Sequence, residues 1–242
     1  MILECDIGNT ACKWRVVDAS DLVLDRGVLN HTQDGFDCLV PDAGFERVRA
    51  VSVAKPEVAA NLSLELMARY SLNVEWAKTS RSVAGVTNSY EDVSRLGVDR
   101  WSVVVAAHQE GASPSIVVDA GSAITVDAVD SEGCHLGGYI APGLTLMKSA
   151  LVNDTDGVRF SREQKYAGIT FGMSTDMAVH AGARAAILGV VLVAKMEAER
   201  LFPDGYSLFL TGGDGAQVLP YLDDNIYWRP DLVLDGLKLL LP

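Results

Sequence analysis

Short apolar runs, each closed by small polar residues, open the chain. Residues 2–7, ILECDI, read as a strand; the break GNT follows, then ACKWRVV, a polar turn DASD at 18–21 and a third apolar run to Leu29. This order predicts an antiparallel meander of strand, tight turn, strand, turn, strand. The pattern returns at 115–140, SIVVDAGSAITVDAVDSEGCHLGGYI. Superposed on residues 2–29, it places Asp6 on Asp119, Gly8 on Gly121, Thr10 on Ala123, and DASD on DSEG. A repeat this long exceeds a solenoid period and predicts duplicated domains.

An α/β pattern follows each meander. VRAVSVA (48–54) reads as a buried strand, and PEVAANLSLELMARY (56–70) has helical spacing with Pro56 suited to the first turn. NVEWAK (73–78) is a short strand and WSVVVAAHQE (101–110) a helix. In the second half, Ser174 or Thr175 caps a long helix running to about Phe202. YSLFLT (206–211) is a strand ending at Gly212-Gly213, and a short helix and the apolar helix LVLDGLKLLL close the chain. EGASP at 110–114 interrupts the pattern, so the expected domains are 1–113 and 114–242.

The 242 residues are enough for two cores, and the share of apolar residues, nearly half, is that of a globular protein. A formal net charge of -12 argues against nucleic acid or an anionic membrane as partner. An anionic substrate would need local positive charge or a metal ion. No apolar run approaches the ~18 residues of a membrane span, and AAILGVVLVA (185–194) reads as a buried helix. The start lacks the pattern of a signal peptide. Cys5, Cys12, Cys38 and Cys134 match no CxxC or zinc spacing, which points to reduced thiols in a cytoplasm, with Cys5 and Cys12 filling a core.

The chemistry concentrates at the breaks. DIGNT (6–10) has the composition of a hairpin turn, since Gly and Asn accept positive φ. The same turn suits phosphate: Gly8 admits it to the backbone, Asn9, Thr10 and main-chain N–H groups can donate to it, and Asp6 then requires a cation such as Mg²⁺. A matching Asp-x-Gly-Ser at 119–122 favours the phosphate reading. TGGDG (211–215) is either a tight connection or a flat seat for adenine or ribose. GVDRW (97–101) offers Asp99 as a helix cap, which spacing alone favours, or as a general base beside Arg100, a fork suited to a carboxylate. His31, His108, His135 and His180 do not cluster. No P-loop, GxGxxG after a strand, HExxH or GxSxG is present.

DIGNT, GVDRW, DAGSAITVD (119–127), GGYIAPGL (137–144) and TGGDG, in this order, resemble the type III pantothenate kinase family. That family lies within the superfamily of acetate and sugar kinases, the heat-shock chaperone ATPase and actin. The resemblance implies two ribonuclease-H-like α/β domains with an interdomain cleft, and ATP-dependent phosphorylation of the primary hydroxyl of pantothenate towards coenzyme A. It also implies Mg²⁺, a monovalent cation (K⁺ or NH₄⁺) and a homodimer. Carried over, Asp6, Ile7, Gly8, Asn9, Thr10, Ala11, Cys12 and Lys13 handle ATP phosphates, with Asp6 towards Mg²⁺. Ser122, Gly212 and Gly213 meet ATP, and Asp119 holds the monovalent cation. Asp99 is the base, and Tyr90, Gly97, Val98, Asp99, Arg100 and Thr175 contact pantothenate. The sequence departs from the family around Tyr90, where relatives read N-P-Y-x-x-P and this chain reads NSYEDV. Two rivals are a sugar kinase of the superfamily and a non-catalytic accessory protein of the same fold.

Overall fold

Two five-stranded sheets with the same strand order organise the protein, here described from a computed structural model. The structure describes residues 1–9, 11–30, 44–111, 114–155, 159–160, 168–223 and 225–242. The first sheet contains β1 (Ile2–Ile7), β2 (Cys12–Val17), β3 (Val23–Leu29), β4 (Arg47–Ser52) and β5 (Val74–Trp76), in the order β3-β2-β1-β4-β5. β1, β2 and β3 form the expected antiparallel meander; β4 and β5 then run parallel to β1. The second sheet repeats the plan with β8 (Ser115–Ala120), β9 (Ala123–Val129), β10 (His135–Pro142), β11 (Ser207–Thr211) and β12 (Ile226–Trp228), in the order β10-β9-β8-β11-β12. The duplication read from the two acidic turns is thus a duplication of topology.

Two compact units result. One comprises Met1–Gln109 with Leu232–Pro242, the other Glu110–Asp231. In the first, alternate residues of β1 (Leu3, Cys5, Ile7) join Cys12, Val16, Val48 and Ala50 in a core with Leu62 and Leu66 of helix α1 (Pro56–Tyr70). Pro56 starts that helix, where its missing N–H costs nothing, and Ser71 ends it in a left-handed conformation. A two-strand hairpin, β6 (Ser82–Val83) with β7 (Val86–Thr87), precedes helix α2 (Val98–Gln109).

The contiguous division at 113/114 differs from this arrangement at the C-terminus. The last helix, named α6 below (Leu232–Leu240), packs against α2 and the first sheet, not within the second unit. Close approach and buried charge explain this. A Cβ on Gly236 would lie 2.0 Å from Ser102 O, and Ser102 Oγ donates to Val233 O at 2.7 Å. Glu4, fully buried on β1, pairs with Arg15 at 2.5 Å and Arg49 at 2.6 Å. Arg15 goes on to Asp235 at 2.6 Å, and Arg49 donates to Leu241 O at 3.0 Å. Leaving any of these buried ions unpaired would cost several kcal/mol, on the order of 3–5, so the helix is held where its partners are.

In the second unit, helix α3 (Leu144–Asp154) follows β10, and helix α4 (Thr175–Leu201) lays Ala183, Ile187, Val191, Ala194 and Ala198 on Ile116, Val118, Ile124 and Val126. Ser174 is the N-cap; its hydroxyl accepts from Met177 N at 3.2 Å. By length and apolarity α4 reaches the dimension of a membrane span, which the sequence reading had not found. Half of its most apolar window is buried, in keeping with a core helix. The short α5 (Gly215–Val218) follows β11, with α6 last in the chain.

Candidate active site

The first acidic turn grows out of the β1–β2 pairing. Asp6 and Lys13 are directly opposite in the register, one step before Ile7 and Cys12 close the ladder. Gly8 N–H donates to Ala11 O at 3.0 Å, which makes residues 8–11 a tight turn and commits that N–H to the turn itself. Asn9 is exposed at its tip, Ala11 is half-buried, and Thr10 lies outside the described residues. The side chains of Ile7 and Cys12 are fully buried in the core, so these two can serve a ligand only through their backbone. Cys5 joins them there, its thiol pushed up by the contact with Cys12 and by burial. Cys38 and His31 lie outside the described residues.

Asp6 is the electrostatic centre of this turn. Burial pushes its carboxyl up from 3.8 to about 7; Lys13 opposes this, and the negative charge of Asp99 adds to it. The charge of one motif therefore reaches the carboxyl of the other. A desolvated carboxylate with a second one nearby is a place that favours a cation. Among the described residues no group of three or more Asp, Glu, His or Cys could hold a metal alone. Asp6 thus fits Mg²⁺ that brings most of its ligands as phosphate oxygens and water.

Asp99 is not the helix cap that spacing favoured. α2 begins at Val98, Trp101 N bonds Gly97 O at 2.9 Å, and Asp99 sits inside the first turn with Oδ1 2.8 Å from Arg100 N. Gly97 leaves room for this: a Cβ there would lie 2.6 Å from Asp99 Oδ1, and the carboxyl would have to move. Arg100 is buried at 5 % exposure, and its Nη1 donates to the Tyr90 hydroxyl at 3.1 Å. Its guanidinium also stands 5.9 Å from the centre of the Tyr90 ring. Tyr90, Gly97, Val98, Asp99 and Arg100 are therefore one neighbourhood at the start of α2.

The second unit builds its turn differently, by packing three loops backbone against backbone. Asp119 is one residue from the end of β8, the position Asp6 has in β1. Gly121 N bonds Ala123 O at 3.0 Å, Gly143 N bonds Ser122 O at 3.0 Å, and Asp214 N bonds Ala120 O at 2.8 Å. A Cβ on Gly143 would lie 2.1 Å from Gly121 O. One on Gly212, which has φ +90°, would lie 2.3 Å from Ala120 O and 2.4 Å from Asp119 Oδ1. Gly143 and Gly212 are thus what lets these loops close beside Asp119. A carboxylate oxygen beside a carbonyl oxygen in a cradle that no side chain can enter suits a hard cation. Ser122 and Gly213 are exposed at the rim.

Asp214 was missed by the sequence reading. Burial raises its carboxyl pKa, which a hydrogen bond from the Leu144 backbone N–H and the charges of Lys148 and Arg184 lower in turn. It therefore ties the TGGDG loop to the start of α3. The signal was its place between the Gly212-Gly213 pair and Gly215. Thr175 is exposed at the first residue of α4, and the hydrogen bonds that knit the three loops do not involve it. His135 pairs with Asp127 at 2.7 Å and His180 stands edge-on to Phe160, both within packing.

The family model of type III pantothenate kinase matches residues 2–195. The chain belongs to the type III pantothenate kinase family. Type III pantothenate kinases of Ectopseudomonas mendocina and Azotobacter vinelandii are 36% identical over 247 residues and 35% over 249, each covering 100% of this chain and 99% of the relative. Among solved structures, a Campylobacter jejuni protein assigned to the Baf family of transcriptional activators aligns with TM-score 0.60 at 23% identity. It covers 99% of this chain and 96% of its own. A Sinorhizobium meliloti protein assigned as a 2-dehydro-3-deoxygalactonokinase aligns with TM-score 0.55 at 13% identity, covering 99% and 98%. At these identities both speak for the fold alone, the duplicated α/β fold of the sugar-kinase and actin type.

Proposed function

We infer that this protein transfers the γ-phosphoryl group of ATP to the primary hydroxyl of pantothenate, giving 4′-phosphopantothenate, the first step of coenzyme A biosynthesis. Family membership over most of the chain supports the reaction. Within the molecule, the observation that carries the reading is the charge of Asp99 bearing on the buried carboxyl of Asp6. It joins a turn suited to phosphate to a helix start suited to an acid substrate.

Each residue then has a task. The β1–β2 turn, residues 6–13, receives the phosphates through backbone groups, Asn9, Thr10 and Lys13. Arg100 takes the pantothenate carboxylate, where a planar fork donates two parallel hydrogen bonds. Asp99 accepts the proton of the attacking hydroxyl. Gly97 leaves the space that its carboxyl occupies. Mg²⁺ at Asp6 and a monovalent cation at Asp119, when bound, neutralise phosphate charge as it shifts during transfer. Phosphoryl transfer asks for positioning and charge balance more than covalent chemistry, and the residues present offer both. An acidic chain handles two acidic substrates because Lys13, Arg100 and the cations reverse the sign locally.

We also read the protein as a cytoplasmic homodimer. One face of α4 leaves Ala178, Gly182, Ala185, Leu192, Val193 and Met196 exposed, and Phe171 and Met173 just before it are almost fully exposed. So much apolar surface on one side favours a partner. Ala181, on the same helix, turns inward to the core. A second copy seated there brings Thr175 to the partner's substrate.

An ADP-coupled assay with ATP, Mg²⁺ and pantothenate tests the reading, run beside a panel of sugars. Pantothenate-dependent ADP release supports it. Release with a sugar and none with pantothenate overturns it in favour of a sugar kinase.

A further inference from the structure

The loop that carries Tyr90 has no proline between Asn88 and Arg95, so its shape depends on hydrogen bonds. They converge on one side chain. Arg81, at the foot of the β6–β7 hairpin, donates from Nη1 to Asn88 O at 2.9 Å and Tyr90 O at 2.8 Å, and from Nη2 to Glu91 O at 2.9 Å. Its own carbonyl receives Asn88 N at 2.9 Å, which continues the hairpin ladder. Asn88 is buried at 1 % exposure, and its Oδ1 accepts Tyr90 N at 2.9 Å. The carbonyl of Tyr90 is thus held by Arg81, its N–H by Asn88 and its hydroxyl by Arg100.

We propose that Arg81 is a positioning residue for pantothenate binding, acting through Tyr90 on Arg100. This rests on the pantothenate reading above. Arg81 is exposed, where pairing a guanidinium with a carboxylate would stabilise little. It is given instead to three carbonyls in four residues, a use that fixes a loop. Charged donors make the stronger hydrogen bonds. The fixed loop sets where the Tyr90 ring stands against the Arg100 guanidinium, and so where that fork presents its donors. Without Arg81 the loop samples other shapes, and substrate must select the competent one. The cost is expected to fall on binding, because the hydrogen bonds of Arg81 go to the carbonyls of Asn88, Tyr90 and Glu91 and not to Asp6 or Asp99.

Steady-state kinetics on the full chain tests this with Arg81→Ala, Arg81→Lys, Tyr90→Phe and the double variant Arg81→Ala/Tyr90→Phe. Arg81→Ala is expected to raise KM for pantothenate roughly tenfold, the scale of one or two lost charge-assisted hydrogen bonds. It should leave kcat within about twofold and KM for ATP unchanged. Arg81→Lys, whose ammonium cannot span three carbonyls, is expected in between. The double variant should be no worse than about the worse single one, because both act through one loop. Unchanged KM for pantothenate, a fall in kcat with KM kept, or single effects that multiply would overturn the proposal. If Arg81→Ala does not fold, Arg81→Lys and its double with Tyr90→Phe carry the same comparison. A wild-type chain that does not turn over pantothenate overturns the function and this role together; an active one with unaltered variants overturns this role alone.

Discussion

Asp6→Asn isolates the cost of charging the carboxyl at the centre of the first turn. The wild-type carboxyl has an ordinary value of 3.8 in an unfolded chain and about 7 in the fold. The sign follows from the order of the two. Below the lower value both states hold the proton and the group is neutral in its effect. As pH rises towards 7 the unfolded chain releases the proton while the fold retains it, and stability is lost until the folded carboxyl also ionises. At ~1.4 kcal/mol per tenfold change, the full penalty is ~4 kcal/mol, an upper figure because Asp6 as a residue is only partly buried. Asn carries no such penalty. The hydrogen bonds it alters do not titrate, so they shift the comparison by a constant. The variant should therefore gain on the wild type by ~2–3 kcal/mol between pH 5 and pH 8, or roughly 5–10 °C in Tm for a chain of this size. Thermal melts of both proteins at a series of pH values, without nucleotide or divalent metal, measure this directly. A Tm difference that stays flat over that range, or widens towards acid, would refute the reasoning.

Other consequences follow from the same geometry. Asp99→Asn should lower kcat by ~10²–10⁴-fold with the fold intact, as measured by steady-state kinetics and circular dichroism, because Gly97 and not Asp99 precedes α2. The same substitution removes a charge that raises Asp6, so its titration, followed by carboxyl NMR, should move towards acid. Activity in Tris or Na⁺ buffer should rise strongly on adding K⁺ or NH₄⁺, and Asp119→Ala should abolish the response; full activity with neither ion would remove Asp119 from its assigned role. Gly212→Ala forces a side chain into a left-handed position and onto Ala120 O, so it should lose at least ~1–2 kcal/mol of stability in a denaturant melt, together with the cation response.

The meanders were legible because alternation and turn chemistry are local: the register that sets Asp6 opposite Lys13 needs only β1, the turn and β2. Helix α1 was legible to the residue, since Pro56 marks its start. What escaped depends on distant partners or on few residues. The home of α6 is fixed by an ion pair 220 residues apart, Arg15 with Asp235, which no window along the chain contains. β6 and β7 have two residues each and β12 three, too few for a period to appear. α3 starts after Gly143, which offers no side-chain cap to mark it. At the site, the acidic turns and GVDRW announced themselves through composition. Arg81 did not, because its partners are backbone carbonyls, which every residue has, and Asp214 did not, because the Leu144 N–H and the charges of Lys148 and Arg184 that act on it lie far off in the chain.

The most direct test of the account is where the phosphoryl group goes. ATP, Mg²⁺, K⁺ and pantothenate are incubated with the protein, and the products are followed by phosphorus NMR with detection of proton coupling. A new phosphate monoester signal coupled to the methylene protons of the primary alcohol is expected, growing in step with ADP. Inorganic phosphate alone, or a phosphorylated carboxylate, would contradict it.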